Sequence, residues 1–384
     1  MFTYQRLELK PVINATCHWT AFGGTVMWPE VVRAMEEARK SCVDMRQLLD
    51  RAGEVISDYT HAEAAHVVSG CAAGLVAGAA AIMTGDSRRR MMQLPHTTGP
   101  DGQPLFKDQF VARRFGRAKD ADGEYPSWGY AQAVRGAGAH FVEVGDSRGL
   151  TREQFEAGFG PHTAGVYWVS DGLDHGLAMK DAIQIAHTRG VPVLVDASNT
   201  LPPAENLHAF IDMGADLVAF SGGKGLRGPQ GSGILTGRAD LIRAARAQSA
   251  PIQGIGRPLK VSKEEIVGLL TALELWASRD HAADLRDAKR RTQRVVDALD
   301  GLRTVRAEHV FPDHAGRPYP TVFIHVDPEC GLSAAQVVEQ LLAGDPPVAV
   351  MGHTDPTVVR VDVRILSEDE TERVIARLRE VLAN

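Results

Sequence analysis

The chain has 384 residues, 44% hydrophobic and 23% charged, with a net charge of −6. That length holds two domains or one large one, and the composition excludes disordered, collagenous and disulfide-scaffold chains. An acidic balance argues against broad binding to nucleic acid or to anionic membranes.

Cys17, Cys42, Cys71 and Cys330 are scattered and form no C-x-x-C pair. This predicts reduced thiols and a cytoplasmic protein rather than a zinc ribbon or a disulfide framework. The first residues lack the apolar core of a signal peptide. Val67 to Gly85 carries no charge and approaches the length of a bilayer span, but it is rich in Ala and Gly. Small residues predict a helix packed tightly inside a protein, not a membrane span.

After an N-terminal arm, Pro29 suits a first helical turn, and Val31, Val32, Ala34, Met35, Ala38 and Val43 give an apolar face. Strands are then predicted at 64–68, 88–94, 140–144, 165–170, 191–196, 216–221 and 232–236. Helices are predicted at 72–83, 127–136, 151–157 (with Thr151 as N-cap), 178–189 and 206–213. This alternation implies an α/β fold with a mostly parallel sheet covered on both faces. The runs VPVLVD and ADLVAFS suit strands buried on both sides. Ligands in such sheets bind beyond the carboxyl ends of the strands. The longest interruption, His96 to Tyr125, is rich in Gly, Pro and charge, and reads as either a functional lid or a surface excursion.

A helix at 263–278 leads into helix 282–299, strand 320–326, helix 333–342, strand 358–363 and helix 368–382. The predicted organisation is an arm and helix (1–60), a large α/β domain (61–260) and a connecting helix with a small α+β domain (261–384).

The sharpest motif is SGGKGLRGPQGSG, Ser221 to Gly233, directly after a buried strand. Glycines let the backbone turn tightly and let a ligand approach closely. A partly desolvated lysine there, Lys224, can lose its proton and act as a nucleophile. Gly225 follows the lysine where a Walker motif needs Ser or Thr, so no P-loop is present. A solvated lysine on a turn is the alternative. Asp196 ends the strand one strand–helix–strand unit upstream, so both residues reach the same sheet edge. A buried carboxylate needs a partner, and a protonated pyridine nitrogen supplies one. A lysine imine with an aspartate on the ring nitrogen is the arrangement of pyridoxal 5′-phosphate enzymes. The third element, Ser69, Gly70 and Cys71, opens the small-residue helix. Exposed amides at a helix start bind phosphate, and an ordinary capped turn is the alternative.

On these residues the chain resembles the fold-type-I pyridoxal-phosphate enzymes, in the branch of selenocysteine synthase and D-glucosaminate-6-phosphate ammonia-lyase. The matching segments are VINAT, VVSGCAAGL, VPVLVDASNTLPP, GADLVAFSGGKGLRGPQGSGIL and IGRPLKVSKEEIVGLLTALE, spread over most of the chain. The resemblance implies that Lys224 bonds the cofactor covalently, Asp196 pairs with its ring nitrogen and Ser221 helps hold its phosphate. It further suggests His96 stacked on the ring, Ser198 at the ring hydroxyl, and Arg257 with Lys260 reaching a partner subunit's phosphate. Arg360, which shares a predicted strand face with Arg364, is the expected clamp for a substrate carboxylate. Asn14 and Thr16 in the arm are expected to close over the site. No spacing of His, Cys, Asp or Glu forms a recognised zinc set, so no metal is expected.

The implied reaction is α-proton abstraction followed by β-elimination on a hydroxy-amino acid or amino-sugar acid. An amino acid racemase or epimerase, an aminotransferase and a non-enzymatic phosphate-binding regulatory protein are the competing readings. The short arm before VINAT and the net charge argue against a tRNA substrate. A homodimer or higher homo-oligomer is expected.

Overall fold

The structure is a computed structural model that describes residues 2–114, 129–146, 149–313 and 315–383. The chain forms two units, Met27–Ser278 and the combination of Met1–Val26 with Arg279–Asn384.

The larger unit is built on a seven-stranded sheet. Its strands in chain order are β1 (Ala64–Val68), β2 (Gln109–Arg113), β3 (His140–Val144), β4 (Thr163–Val169), β5 (Val193–Asp196), β6 (Leu217–Ser221) and β7 (Gly233–Gly237). They lie in the order β1-β7-β6-β5-β4-β2-β3. β7 is antiparallel to both of its neighbours, and β2 to β6 are mutually parallel. The central strands VLVD and LVAFS are buried or nearly so throughout, as strands covered on both faces require.

The Ala/Gly-rich helix Cys71–Thr84 lies on this sheet. A Cβ on Gly74 would stand 3.3 Å from the Ala219 Cβ, and one on Gly78 would stand 3.0 Å from a Leu194 methyl. Small residues therefore set the closeness of helix and sheet, as expected. Among the described residues no helix is long and apolar enough to cross a membrane.

Four expectations are corrected. Residues 88–94 are not a strand: Ser87 caps a short helix, Arg88–Met91, by accepting from the Arg90 amide at 3.4 Å. Three successive arginines, all exposed, suit that helix better than a strand. The first helix ends at Ala38, and Asp44 starts a second, unpredicted one, Met45–Thr60, accepting from the Arg46 amide at 2.8 Å. The segment 96–125 is no uninterrupted loop, because Gln109–Arg113 is a core strand with Phe110 and Val111 fully buried. Residues 115–128, with the charged run of the expected lid, lie outside the described residues. The fourth concerns Arg364, which does not share a strand face with Arg360. That strand is Val358–Val361 and Arg364 stands in the turn beyond it.

The smaller unit holds a four-stranded antiparallel sheet, ordered Met351–Gly352, Val358–Val361, Thr321–Val326 and Val305–Val310. Helices His281–Leu299, Ala334–Ala343 and Glu368–Leu382 share its core with Ile13 and Ala15 of the arm. Ser333 and Ser367 each open a helix with a reciprocal capping box.

Candidate active site

The ligand edge of the large sheet carries the predicted residues of the α/β unit. β5 ends at Asp196, which lies in register with Ala219 of the adjacent β6. β6 ends at Ser221, and the turn that carries Lys224 returns the chain to β7 at Gly233. This turn is close-packed. A Cβ on Gly225 would stand 2.3 Å from the Leu201 carbonyl oxygen, so only glycine fits. Arg227 takes a left-handed φ of 55° and lays its guanidinium 3.8 Å over the Trp28 ring. Lys224 is half-buried, and its Nζ stands 5.4 Å from the ring centroid of Tyr130.

Asp196 is 2% exposed. Its Oδ1 accepts from the Ser198 amide at 3.0 Å and its Oδ2 from the Tyr167 hydroxyl at 3.0 Å, while the Cys71 thiol, 3.6 Å from Oδ1, has its one proton nearer the Ala219 carbonyl at 3.3 Å. Among the described residues no lysine, arginine or histidine forms an ion pair with it. A buried carboxylate surrounded only by neutral donors fits a cationic ring nitrogen as its missing partner.

Ser69 and Gly70 lie between β1 and the helix that starts at Cys71. Gly70 takes a φ of 89°. The Ser69 hydroxyl donates to the Leu259 carbonyl at 2.9 Å, which commits its proton to the segment that holds Arg257. Arg257 is half-buried, and its Nε is buried without a hydrogen-bond partner. An orphaned guanidinium N–H suits an anion that bonds it. Burial first, and then the Asp196 charge, push the Cys71 thiol far above its ordinary range, against the opposing pull of Lys224. Cys71 is thus a neutral donor, not a nucleophile.

The other predicted residues are placed differently. His96 is exposed on the turn after a short helix, not at a strand end. In the smaller unit, Asn14 donates to the Gly24 carbonyl at 2.9 Å and accepts from the Thr16 hydroxyl at 2.6 Å. Arg360 donates from Nε to the Gly352 carbonyl at 3.2 Å. Arg364 forms a buried bidentate pair with Asp362 and stacks 3.7 Å over Tyr319.

Sequence reasoning missed Tyr130 and Tyr167, and a cluster at the ends of β2 and β4. Arg113 donates to Asp171 at 2.7 Å, and His175 Nε2 lies 3.0 Å from both oxygens of the same carboxylate. Burial raises the Asp171 pKa, but Arg113 outweighs it and holds the carboxyl below its usual range. The rule that ligands gather beyond parallel strand ends was the available signal for these residues, once QFVAR was read as a strand.

Residues 122–328 match the family described as aminotransferase class-V. The D-glucosaminate-6-phosphate ammonia lyase of Salmonella typhimurium is 32% identical over 98% of this chain and 97% of its own length. A 5′-C-glycyluridine monooxygenase-decarboxylase of Streptomyces is 33% identical over 99% of this chain and 92% of its own. An L-seryl-tRNA(Sec) selenium transferase of Moorella thermoacetica is 25% identical over 98% and 83%. A solved structure of D-glucosaminate-6-phosphate ammonia-lyase superposes with a TM-score of 0.81 at 32% identity, covering 99% of this chain and 97% of that one. The chain belongs to the aminotransferase class-V family and is a pyridoxal-phosphate-dependent enzyme of fold type I.

Proposed function

We propose that this enzyme is a lyase of the ammonia-lyase type, removing the α-proton and a β-substituent from a hydroxy-amino acid or amino-sugar acid. The observation that carries the reading is the buried Asp196, one strand from Lys224 and without an ion-pair partner among the described residues. The ammonia lyase, similar over nearly its whole length, supports the choice of reaction.

Bound pyridoxal phosphate draws electrons from the substrate's α-carbon into its protonated ring. Asp196 keeps that ring nitrogen protonated. Lys224 would hold the cofactor covalently, and its Nζ would serve as the base that accepts the α-proton. The Cys71 amide would hold the phosphate at the helix start, with Ser69, Gly70 and Ser221 beside it, the Gly70 amide being committed to the Val68 carbonyl at 2.9 Å. Ser198 orients Asp196 through its amide and faces the ring hydroxyl. Arg257 reaches the phosphate of a partner subunit in a homodimer. Exposure of Phe2 (71%), Leu7 (52%) and Leu9 (57%) on the arm supports self-association.

Arg360 binds the substrate carboxylate, because Arg364 is already committed to Asp362. Asn14 and Thr16 shape the arm beside the substrate. His96 would reach the ring face from the exposed turn that follows the helix Arg88–Met91. The four cysteines, none of them in a disulfide among the described residues, support a cytoplasmic setting, and the net charge of −6 supports a small-molecule substrate over nucleic acid.

The relative described as a monooxygenase-decarboxylase favours a second reading, loss of the α-carboxylate in place of the α-proton. One experiment separates them. The cofactor-loaded protein is presented with D- and L-hydroxy-amino acids and amino-sugar acids. Ammonia with keto acid is the expected product. Carbon dioxide with oxygen uptake supports the second reading. Inverted chirality or amino transfer alone overturns both.

A further inference from the structure

Tyr167 lies in the middle of β4, where sequence periodicity marks it as core. It is 1% exposed, among the largest fully buried side chains, yet it carries a polar hydroxyl. That hydroxyl donates to Asp196 Oδ2 at 3.0 Å, from the strand adjacent to β5. Burial first, and the Asp196 charge second, hold the phenol far above its ordinary pKa. Tyr167 is therefore a permanent donor and never a competing charge. On the other oxygen, the Ser198 amide donates at 3.0 Å.

A carboxylate buried without donors raises its proton affinity until the proton prefers oxygen. Donors aimed at it reverse that preference. A proton shared between Asp196 and a pyridine nitrogen then stays on the nitrogen, where it makes the ring an electron sink. We propose that Tyr167 is a positioning residue that fixes the cofactor's ring proton on nitrogen by donating to Asp196. This rests on the reading of Asp196 as the ring-nitrogen partner.

The test uses the holoenzyme loaded with cofactor labelled with 15N in the ring, whose nitrogen shift reports protonation directly, and a titration of the apoenzyme with pyridoxal phosphate. Tyr167→Phe keeps the ring and removes one oxygen. Its ring-nitrogen signal is expected to move toward the unprotonated position, and the cofactor dissociation constant to rise about tenfold. Asp196→Asn is measured beside it and is expected to lose ring protonation outright. A shifted signal in Asp196→Asn with no shift in Tyr167→Phe overturns the role of Tyr167 and leaves Asp196 intact. No shift in Asp196→Asn overturns the underlying reading, and the inference with it. Should Tyr167→Phe fail to fold, Tyr167→Met, which also fills the space without a hydroxyl, carries the test: a shift in the same direction supports the inference, and none overturns it.

Discussion

The Ser69 hydroxyl donates to the Leu259 carbonyl at 2.9 Å, joining two parts of the chain 190 residues apart. The turn that opens the helix Cys71–Thr84 and the segment holding Arg257 are thereby hydrogen-bonded to each other. Ser69→Ala is expected to cost about 1 kcal/mol of stability. It is also expected to weaken cofactor binding, through loss of order in the Arg257 segment as well as loss of a polar group. Denaturant unfolding and cofactor titration of the apoenzyme measure the two effects separately.

Replacing Gly225 tests the close-packed turn. A Cβ there would stand 2.3 Å from the Leu201 carbonyl oxygen, and backbone on both sides has nowhere to go. Gly225→Ala is expected to destabilise the protein by about 1–3 kcal/mol. The covalently bound fraction of cofactor, read by borohydride trapping and mass spectrometry, should fall with it.

His66 sits in β1, 2% exposed, with Nδ1 buried and unpartnered among the described residues. Burial first, and Arg246 second, depress its pKa from 6.5 to about 3. The folded state therefore excludes a proton that the unfolded state binds below pH 6.5. Stability attached to this group is fully present above that pH and is lost as pH falls from there toward 3. At about pH 5 the loss amounts to ~2 kcal/mol. His66→Leu should flatten the acid limb of the melting temperature between about pH 5 and pH 7, relative to the parent.

Asp362 and Arg364 are a buried ion pair, with side chains 6% and 10% exposed. Removing one partner leaves an uncompensated buried charge. Asp362→Ala is expected to cost about 3–5 kcal/mol. Arg360→Leu, at an arginine outside this ion pair, should leave the melting temperature within a few degrees of the parent while raising the substrate KM. Calorimetry and steady-state kinetics on both variants check this contrast.

Thiol labelling discriminates the cysteines. Cys42 is exposed, whereas Cys71 is buried and its thiol is held well above its ordinary pKa. Iodoacetamide at about pH 8 should modify Cys42 in the native protein and leave Cys71 untouched until the chain unfolds.

Much of the fold was legible because its central strands are uninterrupted apolar runs. VLVD and LVAFS cannot be mistaken for surface strands, and Lys224 and Asp196 stand at their ends. Pro29 and Thr151 mark helix starts for reasons internal to the backbone, and both expectations hold. QFVAR was hidden because a five-residue strand between charged, Gly-rich stretches has too few periods to register. RRRMMQL misled because two methionines and a leucine counted as strand formers, although Ser87 caps a helix there. The site was legible where one residue type has one chemical use, as with the glycine-flanked lysine. Tyr167 was invisible for the opposite reason: a tyrosine among strand residues reads as bulk, and only its depth beside Asp196 gives its hydroxyl a task.

β7 is the single strand of the large sheet that runs against the others. The segment between β6 and β7 is consequently an antiparallel hairpin loop with both stems clamped: Ser221 pairs with Gly233, which in turn lies against Val68. Lys224 is thus mounted on a fixed pedestal and not on a crossover that could swing. If Lys224 is the lysine that serves the cofactor, as proposed, the reach of its amine is set by rotation about its own four methylene groups from a main chain held at both stems.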